Sequence, residues 1–135
     1  MKYLLIPLTS LLIGFSAGGN LCARLSTTYG TASYLAVDDI DPLDDRPDFA
    51  ILVYPAYLGD KKQIANNLTV TAKMPPTFIT QSEDDKNFVP STKLFVEALA
   101  AAKVTHEFAL YPTGGPGYGL RSAKDAKAWP DRCAA

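Results

Sequence analysis

The chain has 135 residues, of which 47% are hydrophobic and 20% charged, with a formal net charge of -1. That composition fits a single ordinary globular domain and excludes disordered, collagen-like and coiled-coil chains. The 13 Lys+Arg are balanced by 14 Asp+Glu without a basic block, which argues against a nucleic-acid or anionic-membrane partner. Cys22 and Cys133 lie far apart and outside any zinc spacing, so the cysteines suggest neither a disulfide framework nor a metal site. The single histidine, His106, limits the chemistry open to the chain.

In chain order, the first segment admits two readings. Lys2 precedes an apolar stretch from Tyr3 to Phe15, and Ser16, Ala17 and Gly18 follow as small residues, the layout of a secretory signal peptide cleaved at about residue 18. The stretch is too short and broken for a membrane-spanning helix. In the second reading Leu11-Leu12-Ile13 is a short buried strand, Gly14 to Gly19 a tight turn, and Leu21 to Ser26 the start of a helix. The first reading makes the mature chain a small exported, non-enzymatic protein. The second keeps residues 14–18 in the fold, and the compartment stays open between cytoplasm and export.

An acid-rich connection from Thr27 to Asp48 leads to Phe49-Ala50-Ile51-Leu52-Val53-Tyr54, a continuous apolar run closed by Pro55. Such a run suits a strand buried on both faces, as in a parallel sheet. Lys61 to Lys73 reads as a polar insertion. Pro75-Pro76 introduces a strand at Thr77–Gln81 that ends in Ser82-Glu83-Asp84-Asp85. Ser91 is a plausible N-cap for a helix reaching about Lys103, with Leu94, Phe95, Ala98 and Leu99 at helical spacing. Glu107–Tyr111 is a further strand, ended by Pro112 and a glycine-rich loop, and Ala123 to Ala128 begins a last helix. Alternating strands and helices indicate an α/β fold with a parallel sheet and flanking helices.

Gly14-Phe15-Ser16-Ala17-Gly18 matches G-x-S-x-G, the nucleophile elbow. The pattern puts a serine on a strained strand-to-helix turn, where glycine two residues to either side avoids a clash. The hydroxyl then stands above the sheet, and the Ala17 amide at the helix N-terminus can face a developing oxyanion. The acidic end of the Thr77 strand follows in the right order to supply a carboxylate that orients a base. Two other features have ordinary readings. The aspartates from Asp38 to Asp48 lack the order of a calcium loop, and Gly115-Pro116-Gly117-Tyr118-Gly119 has the wrong spacing for a phosphate cradle, so no metal and no cofactor is expected.

Gly14 to Leu21, Arg46-Pro47-Asp48-Phe49, Leu52 to Tyr57, Pro75-Pro76-Thr77-Phe78 and Tyr111 to Gly115 together resemble the α/β-hydrolases. Within them the resemblance is to the dienelactone hydrolase-like and acetyl-xylan or feruloyl esterase-like branch. It runs from Leu11 to the C-terminus, leaving residues 1–10 as an unmatched start and 11–135 as a C-terminal portion of a hydrolase domain without the N-terminal strands. The resemblance implies a carboxylic-ester hydrolase acting on acyl-sugar or other small esters. Ser16 stands at its nucleophile, Ala17 at its oxyanion donor and Asp85 at its triad acid, with Asp84 the near alternative. Where the family has Gly-Gly-His-Gly this chain has Gly115-Pro116-Gly117. Proline has no titratable group, so the chain as written is expected to be inactive or nearly so. His106, ten residues before position 116, is expected to be a strand histidine rather than a replacement base. A sheet begun in mid-fold is also expected to leave an open edge through which the chain could self-associate.

Overall fold

The computed structural model describes residues 9–31, 34–39, 41 and 44–135. The described elements are β1 (Leu11–Phe15), α1 (Ala17–Thr28), β2 (Phe49–Val53), β3 (Thr77–Ser82), α2 (Val89–Ala101), β4 (His106–Tyr111), a 3-10 turn (Asp125–Ala128) and α3 (Trp129–Ala134). The four strands form one sheet in the order β1-β2-β3-β4, and every neighbouring pair is parallel. Lys2 and residues 3–8 of the run from Tyr3, on which the signal-peptide reading rests in part, lie outside the described residues.

The apolar run of β2 is buried on both faces, as its sequence requires, and so is β3 although it carries Thr77, Thr80, Gln81 and Ser82. Alternate side chains point to opposite sides of the sheet and make two cores. On one side Leu52 and Ile79 pack with Cys22 and Ala23 of α1 and with Phe95 and Leu99 of α2. On the other, Ile51, Val53, Phe78 and Ala109 pack with Tyr118, Ala126 and Trp129. Phe95 and Leu99 are fully buried, each contributing about 2–3 kcal/mol through removal of apolar surface from water.

Several boundaries differ from the sequence reading for identifiable reasons. β1 runs on through Gly14 and Phe15 because they pair in register with Leu52 and Val53, which outweighs the turn propensity of glycine. α1 begins at Ala17, not Leu21, because the Ser16 carbonyl already accepts the amides of Gly19 and Asn20. Ser91 is not the N-cap of α2. That position is Phe88, Pro90 lies in the first turn, and the Ser91 hydroxyl donates back to the Phe88 carbonyl at 3.1 Å.

The far end of α2 closes with Lys103 in the left-handed region at φ 59°, while Lys103 N and Val104 N donate to the carbonyls of Ala100 and Leu99. This is the Schellman arrangement built on lysine rather than glycine. Near the C-terminus the chain forms a 3-10 turn at Asp125 and then α3 from Trp129, so the last helix starts later than Ala123.

Candidate active site

The turn between β1 and α1 has the geometry that its sequence foretold. Ser16 sits at φ 53°, ψ -119°, a conformation that costs a residue with a Cβ about 1–3 kcal/mol. Its backbone is held on both sides: Ser16 N donates to the Val53 carbonyl at 3.0 Å, and the Ser16 carbonyl accepts the Ala56 amide at 3.0 Å as well as two amides of α1. A serine at a helix N-cap normally turns its hydroxyl onto the helix amides, but Ser16 makes no such bond. The residue is exposed, so the hydroxyl stands free at the C-terminal end of the sheet. The Ala17 amide opens the helix and has no intrahelical acceptor.

Of the two glycines that flank Ser16 in the motif, only Gly14 stands at a close approach. A Cβ on Gly14 would lie 2.2 Å from the Gly18 carbonyl oxygen and 2.6 Å from Cys22 Sγ, so glycine is obligatory there. A Cβ on Gly18 would meet nothing within 4 Å, whereas one on Gly19 would lie 2.9 Å from Pro55. The close approach on the helix side is therefore made by Gly19, where α1 meets the turn after β2.

The two aspartates after β3 have opposite surroundings. Asp85 is 3% exposed, and its Oδ2 is buried without a hydrogen-bond partner. Burial raises its carboxyl above the usual carboxylate range, against the opposing pull of the Phe88 and Asn87 amides. Asp84 faces solvent, and its carboxylate accepts the Gly115 amide at 2.7 Å and the Gly114 amide at 3.1 Å. Those amides, the Gly115 amide foremost, hold its carboxyl below the usual range.

The glycine loop after β4 is fastened at the same end of the sheet. Ser82 Oγ donates to the Gly115 carbonyl at 3.1 Å, and the Trp129 indole donates to the Gly119 carbonyl at 2.8 Å. The Tyr118 ring lies edge-on to Tyr54 with centroids 4.5 Å apart, and its hydroxyl is 3.3 Å from Thr80 Oγ1. Burial pushes the Tyr118 phenol up to about 12. Pro116 is exposed between Gly115 at φ 68° and Gly117 at φ 77°.

His106 is at the other end. It pairs in register with Thr77, the first residue of β3, and its Nδ1 lies 2.8 Å from the Val104 carbonyl. At about 3.3 Å per residue, the length of β4 separates it from the loop by roughly 16 Å.

Tyr57 is a residue that the sequence reading quoted without giving it a role. It is 63% exposed at φ 58°, its carbonyl accepts Asn20 Nδ2 at 2.9 Å, and its ring lies edge-on to Phe88 at 5.1 Å. It borders a cleft of about 340 Å³ with Gly59, Asp60 and Ile64. The only advance signal was its place directly after the second strand, where ligand-facing loops of parallel sheets gather.

Comparison with solved structures gives the fold its name. The chain is similar to an acetyl ester-xyloside bifunctional hydrolase from Caldicellulosiruptor lactoaceticus, with 28% identity and a TM-score of 0.75 over 90% of this chain and 53% of that one. It is also similar to an α/β hydrolase enzyme from a Medee basin deep-sea metagenome library, at 27% identity and a TM-score of 0.70 over 92% of this chain and 51% of that one. A carboxylesterase from Lactobacillus plantarum matches at 24% identity and a TM-score of 0.64, over 91% and 55% of the two chains. The chain has a partial α/β-hydrolase fold.

No family model matches it, and neither does any curated protein. The chain spans about half the length of the hydrolases that it matches. In the α/β-hydrolase fold, loops at the C-terminal ends of the strands carry the chemistry, and Ser16, Asp85 and the Pro116 loop all follow such ends here. No helix among the described residues is long and apolar enough to cross a membrane.

Proposed function

We propose that the chain derives from a carboxylic-ester hydrolase acting through an acyl-serine at Ser16, and that Pro116 leaves it inactive or nearly so. The observation that carries this reading is the Ser16 turn: a strained serine at a helix N-cap whose hydroxyl caps nothing. In the ancestral reaction, Ser16 Oγ attacks the ester carbonyl while a base at position 116 takes its proton, and the Ala17 amide donates to the oxyanion. Collapse expels the alcohol, which receives that proton from the base, and water, losing a proton to the same base, then releases the acid and restores the Ser16 hydroxyl.

Asp85 is the triad acid in this reading. A buried carboxylate with one oxygen unpartnered is what remains when the imidazole that it should orient is absent. Asp84 is less suited, because its carboxylate already holds two amides. Residue 116 is the position of the missing base. Proline offers neither a proton acceptor nor an N–H there, and His106 lies at the wrong end of β4. Esterases among the similar structures support small esters as the substrate class, and the sequence resemblance narrows it to acyl-sugars in the acetyl-xylan or feruloyl esterase-like branch.

Release of nitrophenol from a short acyl ester tests the reading. The chain itself should show little turnover, Pro116→His should raise it at least tenfold, and adding Ser16→Ala should abolish the gain. Substantial turnover by the unaltered chain that vanishes in Ser16→Ala would overturn the role given to Pro116. No gain in Pro116→His would move the defect to the half of the fold not shared with the matching hydrolases.

A further inference from the structure

Gly115 is gripped at both of its backbone polar groups. Its amide donates to Asp84 Oδ1 at 2.7 Å, and its carbonyl accepts Ser82 Oγ at 3.1 Å. The Gly114 amide shares Asp84, lying 3.1 Å from Oδ1 and 3.3 Å from Oδ2. A Cβ on Gly114 would lie 2.5 Å from Ser82 Oγ and 2.8 Å from Ala126 Cβ, so that residue has no room to move toward β3. Lys124 Nζ completes the grip, 3.6 Å from Asp84 Oδ2. The peptide that begins residue 116 is thus held through its carbonyl by Ser82 of β3, and the two peptides before it are held by Asp84, the residue next to Asp85.

We infer that Asp84 is a positioning residue: by holding Gly114 and Gly115 it sets where the side chain of residue 116 stands relative to Asp85. This rests on the reading of 116 as the base position. Two adjacent aspartates then divide one task, Asp85 facing the base and Asp84 holding the loop that carries it. Most of the hold passes through a single oxygen, Oδ1, so it depends on an acceptor at that point more than on a full charge.

The test uses the full chain carrying Pro116→His and His106→Gln, which leaves one imidazole to follow by NMR titration. Other charged groups about the loop are Asp85, Lys124, Asp125 bonded to Thr113, and Glu83 paired with Lys93, all unchanged across the series. Contact with Asp85 should raise the imidazole pKa above its ordinary value of about 6.5. Asp84→Asn, which keeps Oδ1, should leave it raised, and Asp84→Ala should return it toward about 6.5 while lowering kcat for ester turnover up to ~100-fold at little change in KM.

An unmoved pKa in Asp84→Ala overturns the inference. So does an equal fall in Asn and Ala, because that reports lost charge rather than lost position. If Asp84→Ala does not fold, Asp84→Ser draws the acceptor back from both loop amides while keeping a polar side chain. A fall in the imidazole pKa there supports the inference and no change overturns it. A starting imidazole that is not raised at all sinks the reading of residue 116 instead, so the two failures are told apart without reference to turnover.

Discussion

Asp84 and Asp85 are neighbours whose contributions to stability run in opposite directions with pH. Burial raises the Asp85 carboxyl, so the folded chain holds that proton more readily than the unfolded chain does. Its contribution is therefore most favourable below the unfolded carboxylate pKa of about 3.9 and is lost as pH rises through the folded value. A carboxyl with one oxygen unpartnered in a dry site is a cost typical of residues arranged for chemistry rather than stability. Asp85→Asn should therefore gain on the parent as pH rises from about 3 to about 7, read as the difference between their thermal midpoints. A difference that stays flat or reverses would show that the site is wetter than its 3% exposure indicates. Asp84 has a lowered carboxyl, so its contribution is present above the unfolded pKa and fades as pH falls. Asp84→Asn should accordingly trend the other way, weakly, since that carboxylate faces solvent.

At the scale of the elements, the strand–turn–helix of residues 11–28 contains an internal contrast between two glycines. Gly14→Ala drives a Cβ into the Gly18 carbonyl, a backbone atom that cannot step aside, and should destabilise the fold by about 3 kcal/mol or more. Gly18→Ala adds a methyl to open space on the first turn of α1 and should be neutral or stabilising, by up to about 1 kcal/mol. Chemical denaturation of the two variants separates them, and equal losses would refute the assignment of the close approach to Gly14. The sequence motif names both glycines and cannot rank them, because the ranking depends on where α1 crosses β1. The same limit recurs elsewhere. β2 was legible because an apolar run buried on both faces carries its signature in composition alone, and β3 because Pro75-Pro76 and the acidic residues after Ser82 bracket it. The start of α2 was not, because the helix is begun by the Asp85 carbonyl accepting Val89 N and by Pro90, while the nearest capping-type residue, Ser91, lies inside it. Ser16 could be picked out because its strain demands a local pattern. The different states of Asp84 and Asp85 could not, because Asp84 is occupied by amides of the loop after β4, some thirty residues away.

At the scale of the whole molecule, the two edges of the sheet are unequal. β4 carries Glu107, paired with Arg132 of α3 at 2.6 Å, and Tyr111 and Cys133 from these two elements pack on the same apolar cluster. Charge and a covering helix are ordinary protections of an edge strand. Among the described residues β1 has β2 as its strand partner and no charged side chain of its own, and Leu11 and Ile13 are 56% and 44% exposed. Leu21 and Leu25 of the adjoining α1 are 54% and 44% exposed as well. Unpaired backbone groups beside exposed leucine and isoleucine form a template for another strand. A second copy can meet this need without any new chemistry, since antiparallel pairing of β1 with itself about Ile13 sets Leu11 against Phe15 and satisfies the free amides and carbonyls of both chains. Sedimentation should therefore show concentration-dependent self-association, and Ile13→Lys should shift it toward monomer by placing like charges opposite each other across the pair. A chain that sediments as a monomer at every concentration would mean that this edge is covered from elsewhere. The half of the matching hydrolases that has no counterpart in this chain is the kind of partner that could then cover it.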